Sequence, residues 1–186
     1  MIDFERMYSG DQKATIAITR QQRQDVEDRR RDIYDSHRHR TFALAYYMTG
    51  NEIEAEKILT KTFVAAFSAT AEPGAQDVDS ALVSELRLRF SLGVHDTPAL
   101  PEHAPAASAD LSQRNVRRTD LEEGIQLLPP QERLIFLLRD VEGYTSAAIG
   151  RLLQMPEAQV NRSLMSARLR LRRVLAADQT ERQQAA

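Results

Sequence analysis

Between Glu157 and Arg173 the chain gathers side chains that can hydrogen-bond to a nucleobase edge or to a phosphate: Gln159, Asn161, Arg162, Ser163, Met165, Ser166, Arg168, Arg170, Arg172 and Arg173. Asn and Gln can read adenine, Arg reads guanine, and a Met side chain can touch the thymine methyl. Arg168, Arg172 and, further upstream, Arg133 suit phosphate contacts better than base contacts. Glu157 is the only carboxylate of the cluster. Other reactive residue types do not assemble into a site. His37 and His39 are two apart, so on a helix they face different ways and make no metal frame. The same spacing separates Glu54 from Glu56 and rules out a paired catalytic carboxylate. With no cysteine, no glycine-rich phosphate loop and no Ser-His-Asp pattern, the sequence predicts no enzyme, no cofactor and no metal.

The elements that must position the cluster lie between Leu127 and Leu175. Pro129 and Pro130 open a helix, as proline suits a first turn, and Leu134, Ile135, Leu137 and Leu138 follow at helical spacing. Gly143 ends it. Thr145 or Ser146 is placed to cap a short second helix that buries Ile149, Leu152 and Leu153. Gln154-Met155-Pro156 forms a turn. A third helix begins near Glu157, whose charge suits the positive helix N-terminus, and buries Val160, Leu164, Ala167 and Leu171. A short helix, a tight turn and a longer helix with a polar, basic outer face describe a helix-turn-helix.

Composition supports an all-α chain. Arg, Glu, Ala, Leu and Gln are abundant and favour helices, while hairpin signals such as Asn-Gly are missing. A hydrophobic content of 42% supplies a core, and the net charge of −2 by itself points to no polyanion partner, but the charge is uneven: Arg162, Arg168, Arg170, Arg172 and Arg173 crowd the third helix against Glu157. No apolar run approaches membrane-spanning length and no signal-peptide core opens the sequence, which predicts a cytoplasmic protein without membrane insertion. In the front half, Asp25 to Met48 carries a helical stripe with a stop at Thr49-Gly50-Asn51. Glu52 to Ala69 is the clearest amphipathic helix, and Ser80 to Leu92 reads as another. Residues 114–128 predict a helix leading into the helix-turn-helix. The expected division is an N-terminal arm or frayed helix over 1–24, a helical domain over 25–93, a Pro/Ala-rich linker over 94–113, a helix-turn-helix domain over 114–176 and a disordered tail over 177–186.

The order of these parts resembles the bacterial RNA polymerase sigma factors of the extracytoplasmic-function kind, in the sigma-70 family. LLPPQERLIFLLRDVEGYTSAAIGRLL is similar to that family's L-P-x-x-x-R-x-x-F-x-L-R-x-x-E-G-x-S-x-x-E-I-A-x-L-L, and VNRSLMSARLRLR resembles V-K-S-R-L-x-R-A-R-x-x-L-R. In front, MTGNEIEAEKILTKTFVAAF resembles L-T-G-D-x-x-D-A-E-D-L-V-Q-E-T-F-L-R-A-W. The resemblance implies a second-region-like front domain that binds polymerase and a fourth-region-like rear domain that reads promoter DNA. It implies promoter DNA, RNA polymerase core and an anti-sigma factor as partners, and transcription initiation as the function. Carried onto this sequence, it places polymerase contacts at Glu54, Glu56, Lys57 and Lys61.

The chain departs from the family at several of these positions. Lys57 and Lys61 stand where the family has acidic residues, and Asn161-Arg162-Ser163 stands where it has Lys-Ser-Arg. Pro156 replaces a capping serine. The helix at Ser80 to Leu92 lacks the family's tryptophan, asparagine and following basic run. A second reading therefore stays open: a sigma-like interaction module that binds an anti-sigma factor or another regulator without serving as a polymerase subunit. A response-regulator-type helix-turn-helix fits the rear half loosely and leaves the front half unexplained.

Overall fold

The computed structural model describes the backbone of residues 4–92 and 117–184, and the surroundings of side chains in 22–92 and 117–176. Among the described residues seven α-helices follow in order: α1 Phe4–Thr49, α2 Glu52–Ala69, α3 Ala75–Arg87, α4 Arg118–Gln126, α5 Pro130–Phe136, α6 Ser146–Leu153 and α7 Glu157–Gln184. A π-helical segment, Leu137–Val141, continues α5. The described residues contain no strand, so the fold is all-α. The expected linker over 94–113 lies outside the described residues.

Helix ends follow local chemistry. Gly50, at φ 66°, allows the reversal between α1 and α2. Asn51 Oδ1 then accepts the Glu54 N–H at 3.1 Å and caps α2. Helix α3 starts earlier than hydrophobic spacing predicts, because the Asp77 carboxylate accepts the Gly74 N–H at 2.8 Å and satisfies the exposed helix end. It ends at Arg87 rather than at Leu92.

Two expected boundaries are corrected. Of the arm or frayed helix expected over 1–24, residues 4–24 are the first half of α1, which runs unbroken from Phe4 to Thr49. No proline interrupts that stretch, and a single internal glycine, Gly10, costs only about 1 kcal/mol. The tail predicted as disordered from residue 177 is instead helical through Gln184; its Ala, Gln, Glu and Arg residues are good helix formers continuing an established helix.

The two halves pack on one another. Leu44 and Met48 of α1, Ile58 of α2 and Leu82 and Leu86 of α3 share one buried cluster with Leu128, Leu134, Leu138, Ile149, Leu153, Leu164 and Leu171. Each such side chain contributes roughly 1.5–3 kcal/mol when fully buried. A smaller cluster of Phe63, Ala66 and Val78 is covered by Tyr34 and Phe67. Tyr34 meets Phe63 edge-on at 4.8 Å, a favoured aromatic geometry.

Polar groups tie the same interface. Arg40 of α1 donates from Nε to Glu142 Oε2 and from Nη2 to Asp79 Oδ1 and the Tyr144 hydroxyl, each at 2.6 Å. The Tyr144 hydroxyl in turn donates to the other Asp79 oxygen, and Arg40 lies 5.2 Å over the Tyr144 ring. Burial works most strongly against the Arg40 charge, but Asp79, Tyr144 and Glu142 together outweigh it and the pKa rises. Burial and the Asp79 bond push the Tyr144 hydroxyl up to about 12. Nearby, Arg87 Nη2 donates to the Leu153 carbonyl at 2.7 Å, joining α3 to the end of α6.

Candidate nucleic-acid interface

Helices α6 and α7 form the helix-turn-helix. The Thr145 hydroxyl accepts the Ala148 N–H at 3.1 Å and caps α6. Gln154 turns the chain in the left-handed region at φ 56°, and the Met155 N–H returns to the Gly150 carbonyl at 2.9 Å. A Cβ on Gly150 would come within 2.8 Å of the Met155 carbonyl oxygen, so this turn is tight enough to require glycine. Without a side-chain cap, α7 starts on the Pro156 carbonyl, which accepts from the N–H groups of Gln159 and Val160 at 2.9 and 3.1 Å.

One face of α7 buries Val160, Ser163, Leu164, Ala167, Leu171 and Leu175. That packing decides which of the sequence-predicted readers are available. Asn161, Arg162, Met165, Arg168 and Arg172 are exposed, Met165 to 66%. Gln159 and Ser166 are half-buried. Ser163 is buried on the core side and does not belong to the outer face. Two candidates are held by acids within the protein. Arg168 makes a forked pair with Asp140, at 2.9 and 2.6 Å, and this partner holds its guanidinium pKa up. Ser166 donates to Glu132 Oε1 at 2.9 Å. Glu132 is only 1% exposed. Its second oxygen lies 3.1 Å from Arg170 Nε, a charge contact without hydrogen-bond geometry. These pairs brace α7 against α5 and its π-helical extension.

Arg133 requires the largest correction. The expectation of a phosphate contact gives way to a buried clasp, 8% exposed. Its Nη1 donates to the Met48 carbonyl at 2.7 Å and to Gln126 Oε1 at 2.9 Å. Its Nη2 donates to the Leu128 carbonyl at 3.0 Å and to the Gln126 carbonyl. Gln126 Nε2 extends the clasp to the Tyr47 carbonyl at 2.7 Å. Desolvation lowers the Arg133 pKa, as burial does for any cation. Position within α5 could not reveal this role, because the acceptors come from the end of α1, from α4 and from the turn after it.

On α2, Glu56, Lys57 and Lys61 are exposed and Glu54 is half-buried. Glu54 pairs with Lys57 at 2.8 Å and with Arg89, and these two hydrogen bonds hold its carboxyl below the usual range. Ile53 and Val64, 65% and 62% exposed, share the outer face with the two lysines. They lie eleven residues apart, three turns of helix, and off the buried stripe, a signal that the sequence already carried. Among the described residues no group of His, Cys, Asp and Glu could hold a metal ion, and no helix is long and apolar enough to cross a membrane.

An all-α chain whose rear part is a helix-turn-helix, with its second helix outward, is the class that this geometry defines. Residues 118–171 match the family model for sigma-70, region 4. Over 166 residues the chain is 25% identical to the ECF RNA polymerase sigma factor SigE of Mycolicibacterium smegmatis, covering 83% of this chain and 65% of that protein. The chain thus spans about two thirds of the length of the curated relative it matches. The rear part of the chain resembles sigma-70 region 4, and the chain is similar along most of its length to an extracytoplasmic-function sigma factor.

Proposed function

We propose that this chain binds RNA polymerase core in the cytoplasm and directs it to promoter DNA through α7. The observation that carries the reading is the outward face of α7. Asn161, Arg162, Met165 and Arg172 stand exposed on a helix whose opposite face is locked into the core. The N-terminal residues of the second helix are the ones that reach base edges in a helix-turn-helix. Arg162 and Met165 are the proposed base contacts, with Arg172 on phosphate. Arg168 joins them when the backbone phosphate displaces Asp140. Gln159 and Ser166 lie at the margin of that face. The exposed strip of α2, with Glu56, Lys57 and Lys61 beside Ile53 and Val64, is the proposed polymerase surface. A pull-down with core polymerase, followed by transcription in vitro from a promoter library, tests the reading. A complex at micromolar concentration and selective initiation are expected; no complex refutes it.

A second reading is favoured by α2 itself. Glu54 is already neutralised by Lys57 and Arg89, and Lys57 and Lys61 reverse the charge that the family resemblance implies. Such a surface suits a regulator, such as an anti-sigma factor, in place of polymerase. Replacing both lysines, Lys57→Asp with Lys61→Glu, separates the two. Tighter core binding supports the polymerase surface, because like charges facing each other across an interface cost several kcal/mol. Unchanged core binding with a lost regulator complex supports the second reading.

A further inference from the structure

Two neighbouring hydroxyls at the start of α6 do different work. Thr145 accepts the Ala148 N–H and is occupied as the cap. Ser146 is not needed for capping, and its Oγ donates across the turn to Asn161 Oδ1 at 2.7 Å. Asn161 is the fifth residue of α7 and is exposed, where a second helix meets base edges. A free Asn side chain recognises adenine bidentately, accepting from N6 with its oxygen while its amide nitrogen donates to N7. That match needs both ends of the amide turned to one base edge.

We propose that Ser146 sets the base preference of Asn161 by holding its carbonyl oxygen toward α6, so that the amide nitrogen alone faces the DNA. Asn161 then offers donors only. In the major groove guanine offers a donor two acceptors, O6 and N7, whereas thymine O4 and adenine N7 offer one each. Adenine loses the bidentate pair and keeps a single N7 contact. The inference rests on the DNA-reading role proposed for α7. Ser146 acts through Asn161 as a positioning residue and makes no base contact itself.

The test is competitive binding of the full chain, alone and with RNA polymerase core, to a randomised duplex library, read by sequencing the bound fraction. Asn161→Ala identifies the base position concerned by flattening its preference. At that position the native protein is expected to favour guanine. Ser146→Ala is expected to raise adenine there on the order of tenfold relative to the native protein, the scale of one bidentate pair. Ser146→Thr keeps a hydroxyl and is expected to retain the native preference, which a merely structural role would not require. A Ser146→Ala profile that superposes on the native one overturns the inference, as does an adenine preference in the native protein. If Arg162→Ala alters a neighbouring position while Ser146→Ala alters none, DNA reading by α7 stands and this inference falls. Absence of any sequence preference in the native protein, with or without polymerase, removes both.

Discussion

Replacing Arg133 by methionine separates the role given by the fold from the role given by position in the sequence. Methionine preserves the length of the aliphatic stem and removes the guanidinium. Four bonds are lost, to the Met48, Gln126 and Leu128 carbonyls and to the Gln126 side chain. Hydrogen bonds from a charged donor contribute roughly 1.5–3 kcal/mol each, and every buried acceptor left alone costs about 1–3 kcal/mol. Relief from desolvating the guanidinium offsets part of that sum, since a buried cation itself carries a penalty of several kcal/mol. A net loss of about 3 kcal/mol is expected, a large share of the roughly 5–15 kcal/mol that holds a domain. With a urea slope of about 2 kcal/mol per molar, the unfolding midpoint falls by about 1.5 M. Urea titration followed by far-ultraviolet circular dichroism measures it. Arg133→Lys, with one compact ammonium, should recover only part of the loss. A phosphate contact behaves otherwise: stability is unchanged, and the slope of log affinity against log salt drops by about one. That pattern would refute the buried clasp.

Further outcomes follow from the same geometry. The Tyr144 hydroxyl has its pKa raised from 10.0 to about 12 in the fold. Its stabilising contribution is therefore complete below pH 10 and lost as pH rises toward 12, because the unfolded chain gives up the proton first. Denaturation midpoints should fall across that window, and Tyr144→Phe should flatten the fall. Gly150→Ala puts a methyl within 2.8 Å of the Met155 carbonyl. It should cost about 1–3 kcal/mol, read as a lower melting temperature; an unchanged temperature would mean that the turn gives way easily. Arg162→Ala should weaken specific DNA binding by roughly 1–3 kcal/mol and loosen preference at one base position. An intact preference places Arg162 on an ordinary solvated face.

Much of the fold was legible before any coordinates, because helix signals are local. The buried stripe of α2 follows from Ala55, Ile58, Thr62, Phe63 and Ala66, and the stripe of α7 from Val160, Leu164, Ala167 and Leu171. The cap at Thr145 and the stop at Gly143 are equally local: one hydroxyl accepts one N–H, and one residue takes a positive φ. These need no knowledge of what packs where. The start of α3 is not carried by hydrophobic spacing, because Gly74 and Asp77 cap it through reciprocal bonds ahead of the apolar stripe.

Tertiary structure alone decided which polar groups are spent inside the protein. Arg133, Arg168, Ser166 and Arg162 look alike as candidate nucleic-acid contacts in the sequence. The fold buries the first on carbonyls from α1 and α4, pairs the second with Asp140 and the third with Glu132, and leaves the fourth exposed. It also brings Arg40, Asp79, Glu142 and Tyr144 together from positions far apart in the chain. Helical periodicity names the face a residue occupies, since that depends only on the turn per residue. Whether the face meets solvent, DNA or a carboxylate depends on the element that packs opposite, and no local pattern encodes that.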